Sequence, residues 1–200
     1  NKKNKIWKII SFMNLIIFGP PGAGKGTQSA FIAKKYNLFQ LSTGDILREQ
    51  IKAKTELGAK ISPMINAGSF VPDEIVSELI EKVIKENDYK NRIIFDGYPR
   101  SLPQAKNLDY LLKKYYQKIT IVLKLSVSLE TIKKRISERR SLENRPDDNE
   151  DIAIKRFKTY EKSTEPVIQY YEKLNLLKVI DGERSIEQIN KEISDIISII

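Results

Sequence analysis

The sequence predicts an α/β, three-layer fold: a five-stranded, mostly parallel sheet flanked by helices. Two observations predict it. Short apolar runs recur at residues 14–18, 39–41, 92–95, 119–125 and 177–180, rich in β-branched and aromatic residues. Their near-continuous hydrophobicity suits strands covered on both faces. Segments of helical spacing lie between these runs. That alternation implies right-handed crossovers, parallel pairing, and ligands beyond the carboxyl ends of the strands.

The elements follow in order. The first run passes directly into a glycine-rich loop, Gly19 to Thr27, and then a helix over 28–36. The second leads into a helix carrying Arg48, for which Thr43 reads as an N-cap that can also meet a ligand. A helix begins at Asp73, with Ile75, Val76, Leu79, Ile80, Val83 and Ile84 on one stripe. After the third run, Pro103 marks a helix start. After the fourth, a helix begins near Ser128 with Ile132 and Ile136 as its buried stripe. The last run is followed by Ser185 as N-cap, Gln188 three residues on, and a stripe of Ile186, Ile189, Ile193, Ile196, Ile197 and Ile200. Two hundred residues, with scattered prolines and glycines and no internal repeat, suit one compact domain.

Composition removes several chemistries. The chain has no cysteine, so it forms no disulfide and no thiolate metal site. It has no histidine, which excludes imidazole general bases, Ser-His-Asp hydrolysis and His-ligated zinc. The net charge of +9 includes +4 from Lys2, Lys3, Lys5 and Lys8 alone, leaving +5 for the other 188 residues. That remainder suits small polyanions as well as a long one. Residues 1–12 lead into the first strand without a small-residue cleavage site, and are read as a dispensable extension ahead of Met13. No run approaches the roughly 20 apolar residues of a membrane helix.

The loop Gly19-Pro-Pro-Gly-Ala-Gly-Lys25 fits the phosphate-loop pattern G-x-x-x-x-G-K. Glycines let backbone N–H groups converge on an anion, and the following helix adds its positive end. A plain strand–helix turn explains a few glycines. It does not explain a lysine at this offset. The Ser/Thr that usually follows the lysine is absent: Gly26 stands there, and Thr27 comes next.

That departure carries a resemblance, because Gly-Lys25-Gly-Thr-Gln28 resembles the phosphate loop of adenylate kinases. The likeness runs from Met13 onward through four more motifs in order. They are Leu41-Ser-Thr-Gly-Asp-Ile-Leu-Arg48, Gly68-Ser-Phe-Val-Pro-Asp73, Asp96-Gly-Tyr-Pro-Arg100-Ser-Leu-Pro-Gln104, and Arg145-Pro-Asp-Asp-Asn149 with Arg156 beyond. The resemblance implies a P-loop kinase domain over 13–200, with a helical monophosphate-binding insertion at 42–71 and a short lid at 138–148. Between Arg140 and Arg145 stand only four residues, so the lid is a loop without the zinc-binding sheet of long-lid members.

The roles implied are specific. Gly22, Ala23, Gly24, Lys25, Gly26 and Thr27 hold ATP with Arg135 and Arg139, and the Arg184 backbone lies near the adenine. Thr43, Arg48, Gly97, Tyr98, Pro99, Arg100 and Gln104 hold AMP, with Ser69, Phe70 and Val71 beside its base. Lys25, Arg100, Arg139, Arg145 and Arg156 surround the transferring phosphoryl group, and Asp96 holds water on Mg²⁺. Taken singly, Arg48 reads as a solvated helix residue, Gln104 as a helix start and Asp96 as a turn cap. Only their joint spacing favours the site. The resemblance implies a cytoplasmic monomer whose partners are ATP, AMP and ADP, with neither nucleic acid nor membrane.

The chemistry is coherent without histidine. A monophosphate acceptor is already ionised near pH 7, its second pKa being about 6, so no base is needed. Charge neutralisation and in-line alignment remain, and arginine's planar fork suits both. Two alternatives stay open. A UMP/CMP kinase shares the short lid, although Thr43 and Gln104 favour AMP, since a glutamine amide offers adenine both a donor and an acceptor. A P-loop regulatory or RNA-binding module predicts basic residues interleaved with aromatics on one face. Here Tyr115, Tyr116, Tyr170 and Tyr171 read instead as half-buried helix residues.

Overall fold

A computed structural model describes residues 13–85, 87–143 and 149–200. The expected extension at 1–12, the lid positions 144–148 and, among them, Arg145 lie outside the described residues. The sheet has five strands in the order β2-β3-β1-β4-β5: β1 Asn14–Phe18, β2 Phe39–Ser42, β3 Ile93–Asp96, β4 Ile119–Ser126 and β5 Leu177–Asp181. Every pairing is parallel. The helices are α1 Lys25–Tyr36, α2 Thr43–Lys52, α3 Glu56–Asn66, α4 Asp73–Lys85, α5 Leu102–Lys114, α6 Leu129–Glu143, α7 Glu150–Lys173 and α8 Ile186–Ser198.

Alternation along the central strand builds the three layers. Leu15 and Ile17 of β1 face Ile32 and Tyr36 of α1 and Ile189, Ile193 and Ile197 of α8. Ile16 and Phe18 face the opposite layer, with Val76, Ile80 and Ile84 of α4, Leu108 and Leu112 of α5, and Val167 and Tyr171 of α7. Burying one such aliphatic side chain contributes about 1.5–3 kcal/mol, so a few dozen of them carry the fold against chain entropy.

At the amino end of the sheet a buried amide network ties three strands. Asn14 Nδ2 donates to Gln117 Oε1 at 3.1 Å and to the Lys118 carbonyl at 3.2 Å, while its Oδ1 accepts from the Ile93 N–H at 3.1 Å. Gln117 also accepts from Asn91 N–H and donates to the Ile84 carbonyl. The carboxyl end is then left for the site. Ser42, Asp96, Ser126 and Asp181 all lie at strand ends, with Asp96 in register with Ile17 and Ser42.

Several expectations change. β5 is a sheet edge with Lys178 and Val179 exposed, not a strand covered on both faces. Leu177 packs against the α4, α5 and α7 layer and Ile180 against the α1 and α8 layer, so each face of this strand is only partly covered. Ile186 and Ile200 stand in solvent at the ends of the last helix, where the stripe has run past its partner. Ser185 caps that helix in the expected capping box with Gln188. Tyr116 follows α5 with positive φ and is 89% exposed, so it is no half-buried helix residue. Tyr171, by contrast, is fully buried. Among the described residues no helix is long and apolar enough to cross a membrane.

Candidate active site

The loop between β1 and α1 wraps the amino end of α1. Gly24 is the residue before the first helical turn and holds φ +91, a left-handed conformation that only glycine adopts without strain. The space its missing Cβ faces is open to 4 Å, and so is that at Gly26. The first-turn N–H groups therefore face an unobstructed cleft, with the helix's positive end behind them. Lys25 folds back under the loop and donates to the carbonyls of Gly19 at 2.7 Å and Pro20 at 3.1 Å.

Around that lysine the electrostatics are dominated by cations. Burial lowers the Lys25 pKa to about 8; Asp96 opposes the shift, while Arg100, Arg156 and Arg139 add to it. Burial likewise lowers Arg100 to about 10, with Arg156 and Arg48 reinforcing and Asp96 opposing. Burial raises the Asp96 carboxyl, which Lys25, a hydrogen bond from Gln40 Nε2 at 3.3 Å and Arg100 pull back. So many positive groups in one low-dielectric pocket repel each other until a polyanion enters.

The turn after β3 shapes the neighbouring cavity. Gly97 has φ +83, and a Cβ there would lie 2.8 Å from Thr43 Oγ1 and 3.0 Å from Arg100 Nη2. Thr43 does not cap α2. Ser42 does, accepting from the Asp45 N–H, and this frees the Thr43 hydroxyl to donate to the Gly97 carbonyl at 3.0 Å. Arg100 Nε donates to the same carbonyl at 2.7 Å, and its guanidinium lies 5.4 Å from the centre of the Phe70 ring. The Tyr98–Pro99 bond is cis, and Tyr98 is buried, its hydroxyl donating to the Gln104 carbonyl. Gln104 is buried as the third residue of α5. Its Oε1 accepts from the Arg100 N–H at 2.7 Å, and its Nε2 donates to Asp73 Oδ1 at 2.5 Å.

Two concavities result. One lies beneath α2 and α3, and Thr43, Arg48, Ser69, Phe70, Val71, Gly97, Pro99, Arg100 and Gln104 line it with Arg156. The other lies between the glycine loop, α6 and the β5–α8 turn, lined by Gly22 through Thr27, Arg135, Arg139, Arg184 and Asp96. They meet at Lys25, Gly44, Arg48, Gly97, Arg100 and Arg156, which border both. Arg135 braces the second cleft, donating to the carbonyls of Gly182 at 2.9 Å and Ala23 at 3.4 Å. Arg184 turns its side chain to Glu192 and Asp181. Arg48 is paired with Asp45 of its own helix.

Every described residue expected from the sequence therefore lines one cavity or the other except Tyr98, which is buried just behind the first. Several participants were not anticipated. Gly44, Tyr160 and Thr164 also line the first cavity, and Asp73 holds Gln104. The Tyr160 hydroxyl is buried with no hydrogen-bond partner among the described residues. In the sequence Asp73 stands at a helix start and closes the Gly68–Asp73 motif, and neither placement points to Gln104.

Comparisons with known proteins agree with this geometry. A family model described as "Adenylate kinase" matches residues 17–176. A curated adenylate kinase of Pelagibacter ubique is 43% identical, aligned over 94% of this chain and all of its own length. One from a Caulobacter species is 42% identical over 94% of this chain and all of its own. One from Fervidobacterium nodosum is 39% identical over 92% of this chain and 97% of its own.

Proposed function

The chain belongs to the adenylate kinase family and is a phosphotransferase that moves the terminal phosphoryl group of ATP to AMP; from that premise we propose how its residues do so. The observation that carries the proposal is the shared border of the two cavities at Lys25, Arg48, Arg100 and Arg156. ATP occupies the cleft between the glycine loop and α6. AMP occupies the cavity beneath α2 and α3, its phosphate directed at that border.

The acceptor oxygen of AMP attacks the γ-phosphorus in line, and the bond to the β–γ bridging oxygen breaks. ADP leaves on each side. No proton has to be removed, since the AMP phosphate carries its charge near pH 7. The catalytic work is to hold two polyanions end to end and to neutralise the equatorial oxygens. Lys25 and the loop N–H groups take the β- and γ-phosphates. Arg100, Arg139 and Arg156, with Arg145 from the lid segment, clamp the oxygens on either side. Binding relieves the mutual repulsion of these cations, which is stored in the unliganded pocket.

Family members use Mg²⁺ with ATP, and Asp96 fits it. A single buried carboxylate at the edge of the phosphate cleft, with one weak hydrogen bond, suits water-mediated contact to a hard cation bound mainly by phosphate. When bound, the ion offsets charge on the β- and γ-oxygens. Segments 42–71 and 138–148 act as the AMP-binding insertion and a short lid that excludes water. We place the protein as a cytoplasmic monomer with nucleotides as its partners.

The baseless mechanism is tested by the acid limb of kcat/KM for AMP. It follows the second pKa of the acceptor, about 6. An AMP analogue with a more acidic phosphate moves that limb down by the difference in the two pKa values. A limb that stays fixed assigns the proton to the protein and contradicts the mechanism.

A further inference from the structure

Gln104 is the residue best placed to read the AMP base, and its amide is not free to choose its orientation. The Arg100 N–H can only donate, so the amide atom facing it at 2.7 Å must be the oxygen. Asp73 Oδ1 accepts at 2.5 Å, so the atom facing it must be the nitrogen. A flipped amide would set donor against donor at Arg100 and acceptor against acceptor at Asp73. The carboxylate is itself fixed, because Asp73 Oδ2 accepts from the Ser101 hydroxyl at 3.3 Å while Asp73 begins α4. Gln104 is 4% exposed, so water offers little substitute for either partner.

We propose that Asp73 is a specificity-determining residue: it locks the Gln104 amide in the one orientation that reads a 6-aminopurine and rejects a 6-oxopurine. The inference rests on the reading of Gln104 as the base-contacting residue. Two bonds within the protein leave the amide one N–H and one oxygen lone pair. Adenine offers an amino donor beside the acceptor N1. Hypoxanthine and guanine offer a carbonyl acceptor beside the donor N1–H, which is the reverse order. A locked amide matches one order and opposes the other. An amide held only by Arg100 turns over at the loss of a single hydrogen bond, and then accepts the second order as well.

The test compares kcat/KM for AMP and for IMP, with MgATP as donor, in the parent protein and in variants at 73. Asp73→Ala and Asp73→Ser lower the AMP:IMP ratio about tenfold, the serine variant keeping a helix-starting residue should alanine fail to fold. The change lies in KM, with kcat for AMP nearly kept. Asp73→Asn restores most of the ratio, because its Oδ1 still accepts from Gln104. Glu74→Ala removes a neighbouring exposed charge from the same helical turn and leaves the ratio unchanged. Alanine and serine variants that turn over AMP with the parent's ratio overturn the proposal. A parent protein that does not use AMP at all overturns the reading of Gln104 instead, so the two failures are distinct.

Discussion

Arg135 and Gly182 are joined across the mouth of the ATP cleft, guanidinium to carbonyl at 2.9 Å. The bond couples α6 to the β5–α8 turn, and the second arm of Arg135 reaches the Ala23 carbonyl in the glycine loop. Glu183 completes the brace. Its carboxylate accepts from the Ser128 N–H at 2.6 Å and from the Thr131 hydroxyl, at the amino end of α6. A carboxylate there also complements the helix dipole. The helix that carries Arg135 and Arg139 is thus oriented by residues outside it.

Glu183→Ala should therefore act on the donor side. Steady-state kinetics should show KM for ATP rising several-fold, by loss of the hydrogen bonds that orient α6. KM for AMP should hardly move. An equal rise in both would mean that the brace supports general folding and not α6 alone.

Lys25→Ala removes the loop's charge on the transferring phosphates. A fall in kcat of about 10²–10³ is expected, by analogy with loss of one preorganised donor. A stopped assay of ADP formation measures it, and full activity in the variant would contradict the role given to the loop.

The pH dependence of Lys25 has two opposite signs. Its pKa in the folded protein is about 8, below its ordinary 10.5. The alkaline limb of kcat/KM for ATP should fall near pH 8, since that quantity reports the free enzyme. Bound phosphates hold the proton, so kcat should stay level to higher pH. Stability moves the other way. Between about pH 8 and 10.5 the unfolded chain binds this proton and the folded chain does not, so this group's contribution to stability rises with pH. Thermal unfolding of the unliganded protein across that range reads the second effect.

Gly97→Ala should damage the AMP side. The added methyl meets Thr43 Oγ1 and Arg100 at 3.0 Å or less, at a φ that alanine resists. KM for AMP should rise at least tenfold, with KM for ATP nearly unchanged, because the side chains displaced are those lining only the first cavity or the border.

Asn14→Leu tests the amide network at the far end of the sheet. It leaves the Ile93 N–H without its side-chain acceptor and removes one of the two donors to Gln117 Oε1, in a buried setting. Chemical denaturation should show a loss of about 2–4 kcal/mol. The kinetic constants of the folded fraction should not change.

The sheet and its helices were legible because burial on both faces leaves long apolar runs, as in β1 and β4, and because α4 and α8 have regular stripes. The glycine loop was legible because few local reasons place Lys25 at that offset. Edges were less so: β5 looks like a core strand in sequence, while the structure places it at the edge of the sheet with Val179 exposed. Thr43 and Ser42 are both good caps, and the choice between them is made by Gly97, whose carbonyl engages the threonine hydroxyl. The tie between Asp73 and Gln104 was not legible for a similar reason. The partners lie 31 residues apart, and no local pattern records a bond at that separation.

Of all the measurements, one bears most directly on the account. The protein is offered AMP, CMP, UMP and GMP in turn with MgATP, and ADP formation is followed. Preferential turnover of AMP to two ADP is the predicted result. Preferential turnover of CMP or UMP would contradict the reading of the cavity beneath α2 and α3, and turnover of none would contradict phosphoryl transfer itself.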